Sequence, residues 1–151
     1  MAARRLPGTA LRVRRGRRHD FADVQAVLGR TGDGRTERFF RRLTRDLAVD
    51  VYVAEDGSGA IVGVVTVAYA RSLAAGGLAA TLEVVRRAAG GGSDDGLAAG
   101  LVDFATDRDR RRGCRALAAR VATADPDLRA VLLARGFHVE EALVADLARS
   151  A

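Results

Sequence analysis

The residues best placed to do chemistry lie between Thr81 and Ala105. A short apolar run, Thr81-Leu82-Glu83-Val84-Val85, leads through Arg86 to the loop Gly90-Gly91-Gly92-Ser93-Asp94-Asp95-Gly96, and an amphipathic stretch then opens with Leu97-Ala98. A strand, a glycine loop and a helix in that order make a phosphate cradle. The first N–H groups of a helix lack acceptors within it, and the helix dipole adds about half a positive charge there, so a pyrophosphate is the natural guest. Two members of this loop, Asp94 and Asp95, are themselves anions. A carboxylate about 5 Å from a phosphate charge costs on the order of 1 kcal/mol in water and 3 at an effective dielectric near 20.

The elements that must position this loop follow from periodicity. Leu11 and Val13 alternate with arginines, as in an edge strand. Asp20 is placed to cap a helix carrying Phe21, Val24, Val27 and Leu28 on one stripe, and the stretch from Gly29 to Gly34 breaks it. A second amphipathic run from Thr36 spaces Phe39, Phe40, Leu43 and Leu47 for a core, with arginines on the other side. Val49, Val51 and Val53, the turn from Glu55 to Gly59, and the apolar run Ile61 to Tyr69 read as a hairpin, followed by a loop from Leu73 to Leu78 and a strand over 79–86. Leu97, Leu101, Phe104 and Ala105 predict a helix over 96–112 that Gly113 stops. Cys114 to Ala122 is expected as a strand. Asp125-Pro126 reads as N-cap and first turn of a last helix ended by Gly136, and Phe137 to Val139 and Ala142 to Leu147 are expected to finish as strands. A right-handed crossover places strand 114–122 parallel to strand 79–86. The class is α+β, layered α/β/α, with a mixed, mostly antiparallel sheet of about six to seven strands and about four helices.

Length and composition bound the rest. A chain of 151 residues is one domain, able to bury about two thirds of its unfolded surface without staples. We expect residues 1–10 to be a flexible basic tail and 11–151 a single domain. One cysteine and two histidines supply neither a disulfide nor a zinc site, so no metal is expected and a reducing cytoplasm is the plain inference. The start lacks the apolar run of an export signal, and no stretch approaches the roughly 20 apolar residues that span a bilayer. Lysine, asparagine and tryptophan are missing while Ala, Arg, Gly, Val and Leu abound, a usage that suggests a GC-rich bacterial genome. The net charge of +6 is uneven, because residues 1–45 hold 13 arginines against four acidic residues. That field suits either a solvated surface or a face for an acidic partner, and the lack of aromatics interleaved with the arginines argues against nucleic acid.

Six pieces in order resemble the GNAT superfamily of acetyl-CoA-dependent N-acetyltransferases, from Leu11 to Leu147. They are Leu11-Arg12-Val13-Arg14 with Asp20; Val51-Tyr52-Val53-Ala54-Glu55 with Ile61-Val62-Gly63-Val64-Val65; Leu82-Glu83-Val84-Val85; Leu101-Val102-Asp103-Phe104-Ala105; Arg111-Arg112-Gly113-Cys114; and Arg129-Ala130 through Arg135-Gly136-Phe137. The resemblance implies acetyl-CoA as substrate. Its pantetheine arm would lie along Val84, Val85 and Arg86, and its pyrophosphate would lie on Ser93, Asp94, Asp95, Gly96, Leu97 and Ala98.

The family's phosphate motif falls on Ser93-Asp94-Asp95-Gly96-Leu97-Ala98, where Gly96 and Ala98 match, Ser93 replaces an Arg or Gln, and the two aspartates replace small or basic residues. Either an aspartate takes the place of the phosphate, or Ser93 or Asp94 simply caps the helix and the loop still admits CoA. The tyrosine that many members use to protonate the leaving thiolate corresponds to Leu132, and an asparagine common at the start of the last helix corresponds to Asp125. Attack of an amine on a thioester needs a base, and Glu83 is the carboxylate available on the fourth family strand. His138, Tyr52, Tyr69 and Cys114 are more simply read as surface or packing residues. The function expected is acetyl transfer from acetyl-CoA to a primary amine of a small molecule or protein, with Glu83 as catalytic base. The alternative is a degenerate GNAT-fold binding or regulatory module that has lost CoA. A homodimer is a family-level expectation, and a membrane is not expected as a partner.

Overall fold

The computed structural model describes residues 1–86, 96–122, 125–145 and 147. Strands β1 (Arg4–Arg5) and β2 (Arg12–Arg15) are followed by a 3-10 turn (Arg18–Asp20) and helices α1 (Phe21–Val27) and α2 (Gly34–Leu43). Strands β3 (Val49–Glu55), β4 (Ile61–Ser72) and β5 (Gly77–Arg86) follow, then α3 (Leu97–Arg112), β6 (Ala116–Arg120) and α4 (Pro126–Ala134). The six strands form one sheet in chain order, antiparallel throughout except for the parallel pair β5–β6. The class, the mixed sheet and the four helices expected from sequence are all present, with a crossover through α3 supplying the one parallel pair.

Alternation along the strands sorts the core into two layers. Val13, Tyr52, Ala54, Val65, Val67, Leu82 and Val84 face α3 and α4, while Val51, Val53 and Val64 face α1 and α2. Leu101, Val102 and Ala105 of α3 are completely buried against the sheet, and each full-sized apolar side chain so placed contributes about 1.5–3 kcal/mol. Gly63 on β4 lets α3 approach closely, since a Cβ there would stand 3.2 Å from Leu101 Cδ1. The helix stop at Gly113 takes the left-handed φ of +83° that a glycine accepts without steric cost.

Several expectations are corrected, among them Leu47, expected in the core, which lies beyond the end of α2 and is exposed. Residues 1–10 are not a free tail: Arg4 and Arg5 pair with Val13 and Arg12, so β2 is not the sheet edge, and Leu6 is wholly buried. Leu6 seats on Gly100 of α3, where a Cβ would come within 2.7 Å of it. Asp20 precedes α1 but its carboxylate does not cap it; it accepts from the Arg17 N–H (2.7 Å) and from both terminal nitrogens of Arg14. Phe39, expected in the core, is 57% exposed, because one helical position moves it off the stripe that buries Phe40. Beyond α4, residues 137–145 and 147 form no strand, and Val139, Leu143, Val144 and Leu147 are exposed. Alternation is a local pattern, and it becomes a strand only when a neighbouring edge accepts its hydrogen bonds.

Candidate functional site

Strands β5 and β6 are paired only from Ala79↔Ala116 to Glu83↔Arg120. On its other side β5 continues in register with β4 through Val84↔Val65, Val85↔Val64 and Arg86↔Gly63. Among the described residues, the β6-facing edge of Val84 and Val85 therefore has no ladder partner. A sheet that splays in this way leaves extended-backbone donors and acceptors facing a cleft, the arrangement that binds an extended, amide-containing chain. The Val84 side chain is buried toward α3 and Val85 packs toward the α1–α2 layer, so backbone rather than side chains lines this edge.

Helix α3 begins beside the splay. Gly96 is its N-cap at φ +78° and offers no side chain to cap it; Leu97 and Ala98 are buried in the core. The N-terminal turn flanks this start, with Thr9 Cγ2 3.5 Å from the position of a Cβ on Gly96 and an open cleft of about 500 Å³ lined by Arg5, Pro7, Gly8, Thr9 and Ala10 together with Leu6. Ser93, Asp94 and Asp95, named from sequence as pyrophosphate residues or caps, lie outside the described residues.

At the far end of the splay Arg86 meets Asp125. Arg86 Nη1 donates to Asp125 Oδ2 (2.8 Å) and Nη2 to Oδ1 (2.9 Å), while Oδ1 also accepts from the Leu128 N–H (3.1 Å). Asp125 is thus the helix cap that its place before Pro126 suggests, and also the anion of a fork-to-fork pair. Burial works against its charge, yet the Arg86 hydrogen bonds and the Leu128 N–H hold its carboxyl below the usual aspartate range. Sequence spacing gave no sign of this pair, whose members stand 39 residues apart.

Glu83 lies one step before the splay, on the α1–α2 side of the sheet, opposite Thr66 on β4 and Arg120 on β6. Both Glu83 and Arg120 are exposed, and Glu83 makes no hydrogen bond or ion pair with any described residue. It is an open carboxylate on a shelf that α1 and α2 leave uncovered. The other candidates are placed elsewhere. Leu132 is buried in the core, His138 is exposed against Glu140, and Cys114 is a half-buried free thiol pushed up by burial. Tyr52 is buried edge-on to Phe104.

Tyr69 belongs to a buried cluster at the C-terminal end of α3. Its hydroxyl lies 2.9 Å from both Asp50 Oδ2 and Asp109 Oδ1, and Arg112 stacks 3.9 Å over its ring. Asp50 also takes a hydrogen bond from Arg15 and a longer one from Arg112 (3.4 Å). One phenol proton cannot serve two carboxylates. Arg15 and Arg112 donate to Asp50, while burial pushes the Asp109 carboxyl above the usual aspartate range. A cleft of about 330 Å³ opens here between Asp50, Tyr69, Arg108, Arg111 and Arg112. No group of side chains suited to a metal occurs among the described residues, and none of their helices is long and apolar enough to cross a membrane.

No protein-family profile matches the chain, and comparison with curated proteins finds no match. Solved structures do match. A transcriptional regulator from Bacillus halodurans is 24% identical with a TM-score of 0.76, over 91% of this chain and 99% of its own. An acetyltransferase from Trypanosoma brucei is 20% identical with a TM-score of 0.73, covering 91% and 99%. An aminoglycoside 6'-N-acetyltransferase from Acinetobacter baumannii is 16% identical with a TM-score of 0.72, covering 93% and 99%. The chain has the GNAT fold, that of acyl-CoA N-acyltransferases.

Proposed function

We propose that the protein is a GNAT-type N-acetyltransferase that passes an acetyl group from acetyl-CoA directly to a primary amine. The observation that carries this reading is the splay after Glu83↔Arg120, where the edge of Val84 and Val85 has no ladder partner among the described residues and opens beside the start of a long helix. The backbone donors and acceptors of this edge suit an extended amide-bearing arm along Val84 and Val85, with phosphates toward Gly96, Leu97 and Ala98. Acetyl-CoA supplies the thioester carbonyl that the amine attacks. Glu83, on the adjoining open shelf, accepts the proton lost by the amine, directly or through one water. No side chain at position 132 donates to the leaving group, so the thiolate takes its proton from solvent.

Titration calorimetry with acetyl-CoA at low salt tests the reading. Binding near micromolar, followed by acetylation of a member of an amine panel, supports it. No heat at millimolar acetyl-CoA overturns it and leaves the alternative, a GNAT-fold binding module without its cofactor.

A further inference from the structure

Helix α3 ends with four arginines in its last five positions, Arg108, Arg110, Arg111 and Arg112. The negative end of a helix dipole, about half an elementary charge, accounts for one of them at most. Arg108, Arg111 and Arg112 stand at i, i+3 and i+4, where side chains are neighbours and like charges repel, and all three line the cleft of about 330 Å³. The one carboxylate in that lining, Asp50, has both oxygens taken: Oδ1 by Arg15, and Oδ2 by the Tyr69 hydroxyl and Arg112. Arg111 meets Asp107 through Nε alone (3.1 Å). Arg108 is half-buried and has no carboxylate within ion-pair distance among the described residues. Its guanidinium lies 5.1 Å from the Tyr52 ring centre, its Nη1 reaches the Met1 sulfur (3.4 Å), and its Nε is buried without an acceptor. The Tyr52 hydroxyl, on a residue 1% exposed, is a second buried group without a hydrogen-bond partner among the described residues. Burial raises its pKa, Asp50 adds to the rise and Arg108 opposes it, so the hydroxyl belongs to the same cluster.

A guanidinium without an anion and a phenol without a partner are both satisfied by an oxyanion. We propose that this cleft binds a phosphate group, as the ion itself or as a small phosphate monoester. Arg108 and the terminal nitrogens of Arg111 supply charged donors, and the Tyr52 hydroxyl supplies a neutral one beside Arg108. A volume of about 330 Å³ is at the lower end of small-ligand sites, so the occupant is a phosphate carrying few further atoms and not a macromolecule. The anion offsets the mutual repulsion of the three arginines. The site stands apart from the splay, since Arg108 follows Leu97 by 11 residues, about 16 Å along the helix axis.

The chain has two tyrosines and no tryptophan, and both tyrosines border this cluster, so its intrinsic fluorescence reports here and not at the start of α3. Titration of the full chain with inorganic phosphate and with glycerol 3-phosphate, followed by calorimetry and tyrosine emission at constant ionic strength in chloride, tests the proposal. The expected result is saturable binding that changes the emission, is weakened about tenfold by Arg108→Gln or Arg111→Gln, and is lost in the double variant. Arg108→Lys keeps the charge and stem without the planar fork, and Arg111 is 71% exposed, so Arg108→Lys and Arg111→Gln test the donors with least disturbance to the fold. Tighter binding of glycerol 3-phosphate assigns the site to an ester, and tighter binding of phosphate assigns it to the ion. The proposal is overturned if neither anion binds, if binding leaves tyrosine emission unchanged, or if folded Arg108→Lys and Arg111→Gln proteins bind as tightly as the parent.

Discussion

At the scale of single residues, two carboxylates stand in opposite surroundings. Glu83 is exposed and unpaired among the described residues, the condition of a base that must give its proton back to solvent on every turnover. Replacing it with Gln is expected to lower kcat/KM for the amine about a hundredfold and to leave acetyl-CoA binding unchanged, which steady-state kinetics and calorimetry together check. Asp109 is 2% exposed, shares the Tyr69 hydroxyl with Asp50, and has a second oxygen without a partner among the described residues. Burial raises its folded pKa above the unfolded value, so the folded state binds more protons and stability falls as pH rises from the ordinary aspartate range toward the raised value. Asp109→Asn keeps a donor toward Tyr69 and has no proton to lose. Urea unfolding from pH 4 to 8 is expected to show a flatter stability profile in the variant than in the parent, and identical profiles would remove Asp109 from this role.

Among the elements, α3 reaches from Gly96 at the splay to Asp109 and Arg112 at the buried cluster. What steadies its first two turns is the chain's own beginning, because Leu6 fills the notch at Gly100 and Thr9 stands beside Gly96. Leu6→Ala is expected to cost about 2–4 kcal/mol in chemical denaturation, the range for emptying a fully buried leucine site. Amide exchange should quicken in residues 97–102 more than at the far end of the helix. Gly100→Ala places a methyl where Leu6 now sits and is expected to destabilise by about 1–3 kcal/mol through overpacking. These effects distinguish an integral opening segment from a disposable tail.

The whole molecule concentrates its buried charge where the strands and helices of distant sequence meet. Arg14 ties Asp20 and Glu55 together with bonds of 2.8, 2.9 and 2.5 Å, fastening the 3-10 turn before α1 to β2 and β3. Arg14→Ala strands a carboxylate that is 2% exposed, and a loss of about 3 kcal/mol is expected in thermal or urea unfolding. For Asp20, burial raises the pKa but Arg14 and the Arg17 N–H outweigh it, so its folded pKa, like that of Asp125, lies below the unfolded value. Their contributions are therefore present above the ordinary aspartate pKa and are lost as pH falls through the depressed folded values. With Asp109 acting in the opposite sense, stability is expected to decline on both sides of the weakly acidic range.

Much of this architecture was legible without coordinates. Helical spacing placed α3 within a residue of its observed ends, Asp125-Pro126 marked the start of α4, Gly113 marked a stop, and valine alternation marked β3 and β4. Each of these signals acts over a turn of helix or a few strand residues, so neighbouring side chains suffice to determine it. Leu6 on Gly100, Arg86 on Asp125, and the sharing of Tyr69 by Asp50 and Asp109 were not legible, and neither was the failure of the Val139–Leu147 pattern to become a strand in the described residues. Those depend on which edges and faces the path of the chain brings within a few ångströms, and hydrogen bonds and packing reward only that proximity. The sequence by itself determined the order and type of the strands and helices from β2 to α4; only the tertiary structure decided what the two ends of the chain do and which charges face one another, because edge pairing and electrostatic pairing are properties of distance in space and not of separation along the chain.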